Sequence, residues 1–159
     1  MFGFFAKYVE IVSPFTGRTV DLSDVPDEVF SQRMAGDGIA VVPTGNVAVA
    51  PADGEITLIF QGGHSFSMKT PEKLEITVHI GLDTLIMNGE GFEVLVQEGT
   101  SVTKGTPIIR YSPEAITSTG LSLISPVLLT DPDSVRSISS YPGMYTEAGK
   151  TAIMKVRLK

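Results

Sequence analysis

Cysteine and tryptophan are absent from this chain of 159 residues. Without a thiol there is no disulfide framework, no thiolate nucleophile and no Cys-based metal site. Such a composition fits a reducing compartment, so a cytoplasmic location is expected. Basic clusters are absent too: 12 Lys and Arg stand against 18 Asp and Glu, for a net charge of −6 and a pI near 4.8. Because phosphate neutralisation supplies most non-specific affinity, no nucleic-acid partner is expected. An acidic surface instead steers a basic protein partner. No apolar run approaches the roughly 20 residues that span a bilayer. The opening Met1-Phe2-Gly3-Phe4-Phe5-Ala6-Lys7 is apolar but has no basic leader and no cleavage site, so it does not read as a secretory signal. A segment this short binds lipid weakly at best, and covering the core is its simpler use. The Met1 start, with no upstream linker, is the pattern expected of a free-standing protein.

What is present points to one domain. Hydrophobic residues make up 42% and charged residues 19%, enough apolar surface for a substantial core. Residues 1–10 read as an N-terminal tail and 11–159 as a single domain without linkers or low-complexity segments. Sixteen glycines and ten prolines, spread evenly, imply many turns and many short strands.

Two internal echoes stand out. Ser13-Pro14-Phe15-Thr16-Gly17 is matched by Ala50-Pro51-Ala52-Asp53-Gly54, each leading into an extended run. The Gly-x5-Gly stretch from Gly99 to Gly105 is matched by that from Gly143 to Gly149, both followed by apolar β-formers. Repeated units of this sort suggest a β-sandwich with internal near-symmetry.

Two short helices are expected. Pro26 fits a first helical position, with Val29, Phe30 and Met34 as the apolar face. Ser112 as N-cap, Pro113 at the first position and Gly120 as terminator frame a second helix over 113–119. Residues 7–22 are extended on both sides of the first Pro turn. Nine further strands are predicted at Ile39–Val42, Val47–Ala50, Ile56–Phe60, Ser65–Met68, Leu74–Ile80, Gly91–Val96, Pro107–Tyr111, Leu121–Leu129 and Thr151–Leu158. The fold class is therefore all-β with two short helices.

Both histidines fall within Gly62–Asp83. Thr70-Pro71-Glu72-Lys73 is the natural loop of a hairpin there. A four-residue loop sets Lys69 opposite Leu74 and Phe66 opposite Thr77, and the same register carries His64 opposite His79. Directly opposed residues place their Cβ atoms about 5 Å apart on one face, so the two imidazoles would converge. A loop of odd length would put them on opposite faces. Gly62-Gly63 before His64 allows close backbone approach. Gly81, two residues after His79, permits a tight turn whose carbonyl would fix an Nδ1–H and leave the Nε2 lone pair as nucleophile. The competing account is two unrelated strand histidines bonded to backbone or water. Zinc is a weaker reading, because it wants three or four protein ligands and no His-x-His or His-x-x-x-His spacing occurs.

The sequence also resembles a known family, the glucose-class enzyme IIA phosphocarriers of the bacterial phosphoenolpyruvate–sugar phosphotransferase system. The resemblance rests on Asp24-Val25-Pro26-Asp27-Glu28-Val29-Phe30, Gly36-Asp37-Gly38-Ile39-Ala40, Pro43-Thr44-Gly45-Asn46, Ala50-Pro51-Ala52-Asp53-Gly54, His64-Ser65-Phe66, Val78-His79-Ile80-Gly81-Leu82-Asp83-Thr84 and Gly89-Glu90-Gly91-Phe92, in order and with the histidines at a 15-residue interval. It implies an antiparallel β-sandwich with a shallow active-site depression. It further implies that His79 carries phosphate on Nε2 and that His64 hydrogen-bonds the phosphoryl oxygens. Gly81 and Gly62 support the pair. The donor implied is the histidine phosphocarrier HPr, and the acceptor is a cysteine on the IIB domain of a sugar permease, which would bring the protein to the membrane face. The docking surface implied comprises Val29, Met34, Ala35, Phe60 and Leu85, with Asp27 and Asp83 as acidic contacts. No cofactor is implied, and zinc would bind His64 and His79 only with a ligand from a partner.

This chain departs from the family at Gly62, where a Thr is usual, and at Thr77, where an aromatic is common. A regulatory binding module that inhibits sugar-uptake or catabolic proteins when unphosphorylated is the alternative role that the resemblance leaves open.

Overall fold

Glycine and proline punctuation cuts residues 7–159, the part described by a computed structural model of the chain, into short strands. β1 (Tyr8–Val12) and β2 (Gly17–Asp21) flank the first Pro turn, and α1 (Glu28–Ser31) follows a 3₁₀ turn. Next come β3 (Asp37–Pro43), β4 (Val47–Val49), β5 (Gly54–Ile59), β6 (Ser65–Lys69) and β7 (Glu75–His79). After a second 3₁₀ turn lie β8 (Phe92–Val94), β9 (Ser101–Val102), β10 (Pro107–Tyr111) and α2 (Pro113–Ser118). The chain closes with β11 (Ser125–Leu129), β12 (Val135–Ser140), β13 (Tyr145–Thr146) and β14 (Ala152–Leu158).

Every strand pair is antiparallel, and the strands form an eight-stranded sheet and two three-stranded sheets. The large sheet runs β13-β2-β3-β11-β7-β6-β5-β9, so its two halves mirror each other about the β11–β7 boundary. The small sheets, β1-β14-β12 and β4-β10-β8, are likewise counterparts. The sequence echoes are the signature of this near-twofold relation. Gly149 N–H donates to the Ser13 carbonyl at 2.8 Å, and Gly105 N–H donates to the Ala50 carbonyl at 2.9 Å. Ala148 N–H meets Thr16 Oγ1 at 3.1 Å, while Lys104 N–H meets Asp53 Oδ1 at 2.8 Å. The halves are stitched across the axis by Val12 N–H to the Pro51 carbonyl and Val49 N–H to the Pro14 carbonyl.

The main core lies between the layers and includes Phe15, Phe66, Ile39, Met68, Ile76, Val78, Ile108 and Val127, each fully buried. A second cluster of Leu22, Val25, Phe30, Ala40, Leu82 and Leu128 sits on the outer face of β3 and β11, under the α1 segment. Burial on both faces explains why β3 and β11 read as continuous apolar runs instead of alternating ones. The α1 segment thus covers one half of the large sheet's outer face, and its border forms a wall beside β7.

Several expectations are corrected. Pro26 precedes the helix, because Asp27 is the N-cap, its carboxylate accepting from Val29 N–H at 2.9 Å. Residues 8–10, expected in the tail, are strand paired with β14, and residues 1–6 lie outside the described part. β11 begins at Ser125, four residues later than expected. β9, β12 and β13 were not foreseen: two are two-residue strands, and β12 is the polar run Val-Arg-Ser-Ile-Ser-Ser. The second helix has the expected Ser112 cap and Pro113, and Gly120 follows it at φ +86.

Candidate active site

The hairpin register is the main correction. The β6–β7 loop has five residues, so Lys69 pairs with Glu75, Phe66 with Val78 and Ser65 with His79. His64 is therefore not opposite His79. Its carbonyl accepts from Ile80 N–H at 2.8 Å, one step beyond the strand. An odd loop would place the two side chains on opposite faces if His64 kept the pleat. It does not: His64 lies in a bend after Gly62 (φ +98) and Gly63 (φ +76). That bend swings its ring over to His79, and the ring centroids are 5.3 Å apart at 67°. The imidazoles converge as expected, by a different backbone route.

β7 presents His79 on the outer face with Thr77. The β11–β7 ladder stops at Val127↔Val78. One further step would bring Pro126, which has no N–H to donate, beside His79. His79 Nδ1 lies 2.8 Å from the Gly81 carbonyl, so the proton sits on Nδ1 and Nε2 keeps its lone pair. The tight turn requires glycine, since Gly81 has φ +71 and an added Cβ would lie 2.7 Å from Thr84 Cγ2 and 2.9 Å from the Ser122 carbonyl. Phe30 packs edge-on to the His79 ring at 5.4 Å, and Phe60 lies 6.2 Å from the His64 ring. His64 is 5% exposed.

Burial pulls the His79 pKa below its ordinary 6.5, opposed in part by the Gly81 carbonyl and then by the charges of Asp27 and Asp83. Burial, followed by the neighbouring His79, also holds His64 below 6.5. Both imidazoles are therefore neutral at pH 7, and the pair resists double protonation.

The histidines open into a depression of about 640 Å³ with a mostly apolar lining. Of the residues singled out in the sequence, Asp27, Val29, Ala35, Phe60, His64, His79, Asp83 and Leu85 line it. Met34 does not. It is 73% exposed and lines a neighbouring groove that shares Ala35 and Thr130 with the depression. Gly62 stands behind His64, where an added Cβ would be 3.6 Å from His64 Nδ1 and 3.3 Å from Gly89 N. Phe60, which core packing alone could have claimed, is 37% exposed at the rim.

Phe30, Gln61, Ser65, Thr77, Leu128 and Thr130 complete the lining. Ser65 and Thr77 were accessible to strand alternation once the true register was known. Leu128 and Thr130 arrive through the β11–β7 pairing, for which the local sequence has no signal. Among the described residues, no group of three or more His, Asp or Glu side chains could hold a metal ion by itself. What the site does offer is a neutral imidazole nucleophile in a dry-walled, open depression beside a second imidazole, which suits in-line transfer of a compact charged group.

Comparison with known proteins agrees. Residues 9–135 match the family described as phosphoenolpyruvate-dependent sugar phosphotransferase system, EIIA 1. The chain is 41% identical to the PTS system glucose-specific EIIA component of Bacillus cereus, over all of this chain and 98% of that protein. It is 39% identical to the protein of the same name from Staphylococcus aureus, over 96% of this chain and 92% of that one. In three dimensions it is similar to glucose permease IIA from Mycoplasma capricolum, with a TM-score of 0.87, 29% identity, and 98% of this chain and 99% of that one covered.

Proposed function

Since this chain belongs to the EIIA 1 family of the phosphoenolpyruvate-dependent sugar phosphotransferase system, we propose that His79 carries its phosphoryl group on Nε2 and that His64 steadies the group from beside it. The protein is a phosphocarrier and a phosphotransferase component: it accepts the phosphoryl group from HPr and passes it to a IIB domain. The family and the relatives' names favour carriage over a regulatory binding role.

The observation that carries the residue assignment is the 2.8 Å contact between His79 Nδ1 and the Gly81 carbonyl. It leaves one nucleophilic lone pair, on the ring nitrogen opposite Nδ1. That lone pair forms a P–N bond as the bond to the HPr histidine breaks, and the departing imidazole keeps the electron pair of the broken bond. Phosphorylation on Nε2 with the proton retained on Nδ1 leaves positive charge on the ring. The Gly81 carbonyl, Asp27 and Asp83 favour that charge, as they already oppose the effect of burial. A ring N–H of His64 then donates to a phosphoryl oxygen. In the second transfer a IIB cysteine sulfur attacks the phosphorus, and His79 departs with the electron pair as the neutral Nδ1–H form.

This relay needs no cofactor, and zinc would require a partner-supplied ligand beside the two imidazoles. Asp27, Val29, Ala35, Phe60, Asp83 and Leu85 form the seat for HPr and then IIB, with Met34 at its outer margin. Transfer to a permease brings the protein peripherally to the membrane in each cycle. Glucose, the sugar in the relatives' names, is the first to test.

The test is labelling with phosphoenolpyruvate, enzyme I and HPr. One acid-labile phosphoryl group per chain is expected, and His79→Gln abolishes it. His64→Gln still accepts the group but fails to pass it to IIB. Labelling that survives His79→Gln would sink the assignment.

A further inference from the structure

The Gly81 carbonyl orients His79, and two consecutive peptide units hold that carbonyl in place. The Gly81–Leu82 unit accepts from His79 Nδ1–H and donates through Leu82 N–H to the Ser122 carbonyl at 3.0 Å. The Ile80–Gly81 unit is gripped by two hydroxyls. Its N–H donates to Ser125 Oγ at 3.0 Å, and its carbonyl accepts from Thr84 Oγ1 at 2.6 Å. Ser125 Oγ–H is itself spent on the Leu123 carbonyl at 2.8 Å, so the oxygen that faces Gly81 is a committed acceptor. Both side chains are sealed from solvent, Ser125 at 0% and Thr84 at 1% exposure. Neither lines the depression or touches the imidazole.

We propose that Ser125 and Thr84 are positioning residues for the phosphotransfer: their hydroxyls clamp the Ile80–Gly81 peptide and thereby hold His79 in its Nδ1–H tautomer with Nε2 aimed into the depression. The inference rests on His79 as the phosphoryl acceptor. Its physical content is that a carbonyl selects a tautomer only if it cannot rotate away. At φ +71 Gly81 has the backbone freedom to let it do so once the clamp is gone. Losing Ser125 Oγ leaves a buried N–H without a partner, and losing Thr84 Oγ1 removes the donor to a buried carbonyl; the peptide relieves either loss by tilting. A tilt moves the Gly81 oxygen and with it the ring, and small misplacements of a reacting atom cost orders of magnitude in rate.

The experiment combines imidazole ¹⁵N NMR with the rate of phosphoryl transfer from phospho-HPr, on Ser125→Ala, Thr84→Val and the hydroxyl-retaining Thr84→Ser. The wild type is expected to show His79 in the Nδ1–H form alone. Ser125→Ala and Thr84→Val shift a measurable share to the Nε2–H form and slow transfer about tenfold, while Thr84→Ser restores both. A folded Ser125→Ala or Thr84→Val with a wild-type tautomer overturns the proposal. So does a rate loss shared equally by Thr84→Val and Thr84→Ser, which assigns Thr84 to packing alone. If Ser125→Ala does not fold, the Thr84 pair decides. The tautomer is read without any phosphoryl donor, so failure here is distinct from failure of the His79 assignment, which would appear as labelling that survives His79→Gln.

Discussion

Ser65, and not His64, stands opposite His79 across β6 and β7. The histidine pair is therefore made by the bend at Gly62-Gly63, where both residues have positive φ, and not by strand alternation. A β-carbon at Gly63 would lie 2.9 Å from Val94 Cγ2. Gly63→Ala is accordingly expected to cost about 1–3 kcal/mol of stability and to move the His64 ring off His79. Chemical denaturation measures the first effect, and transfer to IIB measures the second.

Gly62 is where relatives are expected to carry Thr. Gly62→Thr would bring a hydroxyl toward His64 Nδ1, but at φ +98 and with a Cβ 3.3 Å from Gly89 N. The strain decides the sign, with a loss of about 1–2 kcal/mol expected in urea denaturation. A stabilised variant would show that the 61–63 bend rearranges freely.

Both histidines have folded-state pKa values below the 6.5 of the unfolded chain, chiefly through burial. The unfolded state then binds more protons between the folded and unfolded values, so stability rises with pH across that window. It is fully present above about pH 6.5 and is lost as pH falls through the folded values. Denaturation midpoints from pH 7 downward should fall, and the slope should flatten in His64→Gln. On the proposed role of His79, phosphoryl acceptance should also persist to lower pH than a free imidazole would allow, since burial favours the neutral ring.

The glycine pair at the far end of the near-twofold relation is not symmetric in tolerance. Gly149 and Gly105 both have positive φ, but a Cβ on Gly149 meets Gly105 Cα at 2.8 Å, whereas one on Gly105 has nothing closer than 3.8 Å. Gly149→Ala should therefore lower the melting temperature more than Gly105→Ala. Equal losses would show that backbone strain alone sets the cost.

Tyr111 is 3% exposed, packs edge-on to Phe15, and its hydroxyl is buried with no hydrogen-bond partner among the described residues. Burial pushes its pKa up from 10.0. Removing an unsatisfied group removes its desolvation penalty, so Tyr111→Phe is expected to be neutral or stabilising by about 1 kcal/mol. A clear loss of stability in calorimetry would reveal a partner for the hydroxyl.

Much of this was legible because glycine and proline requirements are local. The Pro-x-x-Gly turns and Gly-x5-Gly loops appear in sequence as they appear in space, since each needs a fixed backbone conformation over a few residues. The Ser112 cap and the Gly81 turn were legible for the same reason. The histidine register was not, because hairpin loop length depends on how Thr70 and Leu74 close the turn. Thr70 Oγ1 accepts from Leu74 N–H at 3.1 Å, and that bond makes the fifth loop residue. Leu128 and Thr130 were invisible because only sheet topology brings β11 beside β7. Met34 belongs to the docking surface that the family resemblance implies, but the chain turns after Gln32 and presents it to the adjoining groove.

The mirrored order of the large sheet bears on traffic. About the Val127↔Val78 pair, the counterpart of His79 is Leu128, and the α1 segment roofs that half. A nearly twofold scaffold has thus been left with a single loading dock. With His79 as the proposed carrier, donor and acceptor reach the same nitrogen through the same opening, so they cannot be aboard together. HPr has to leave before IIB arrives, and an excess of either idle partner should stall the other.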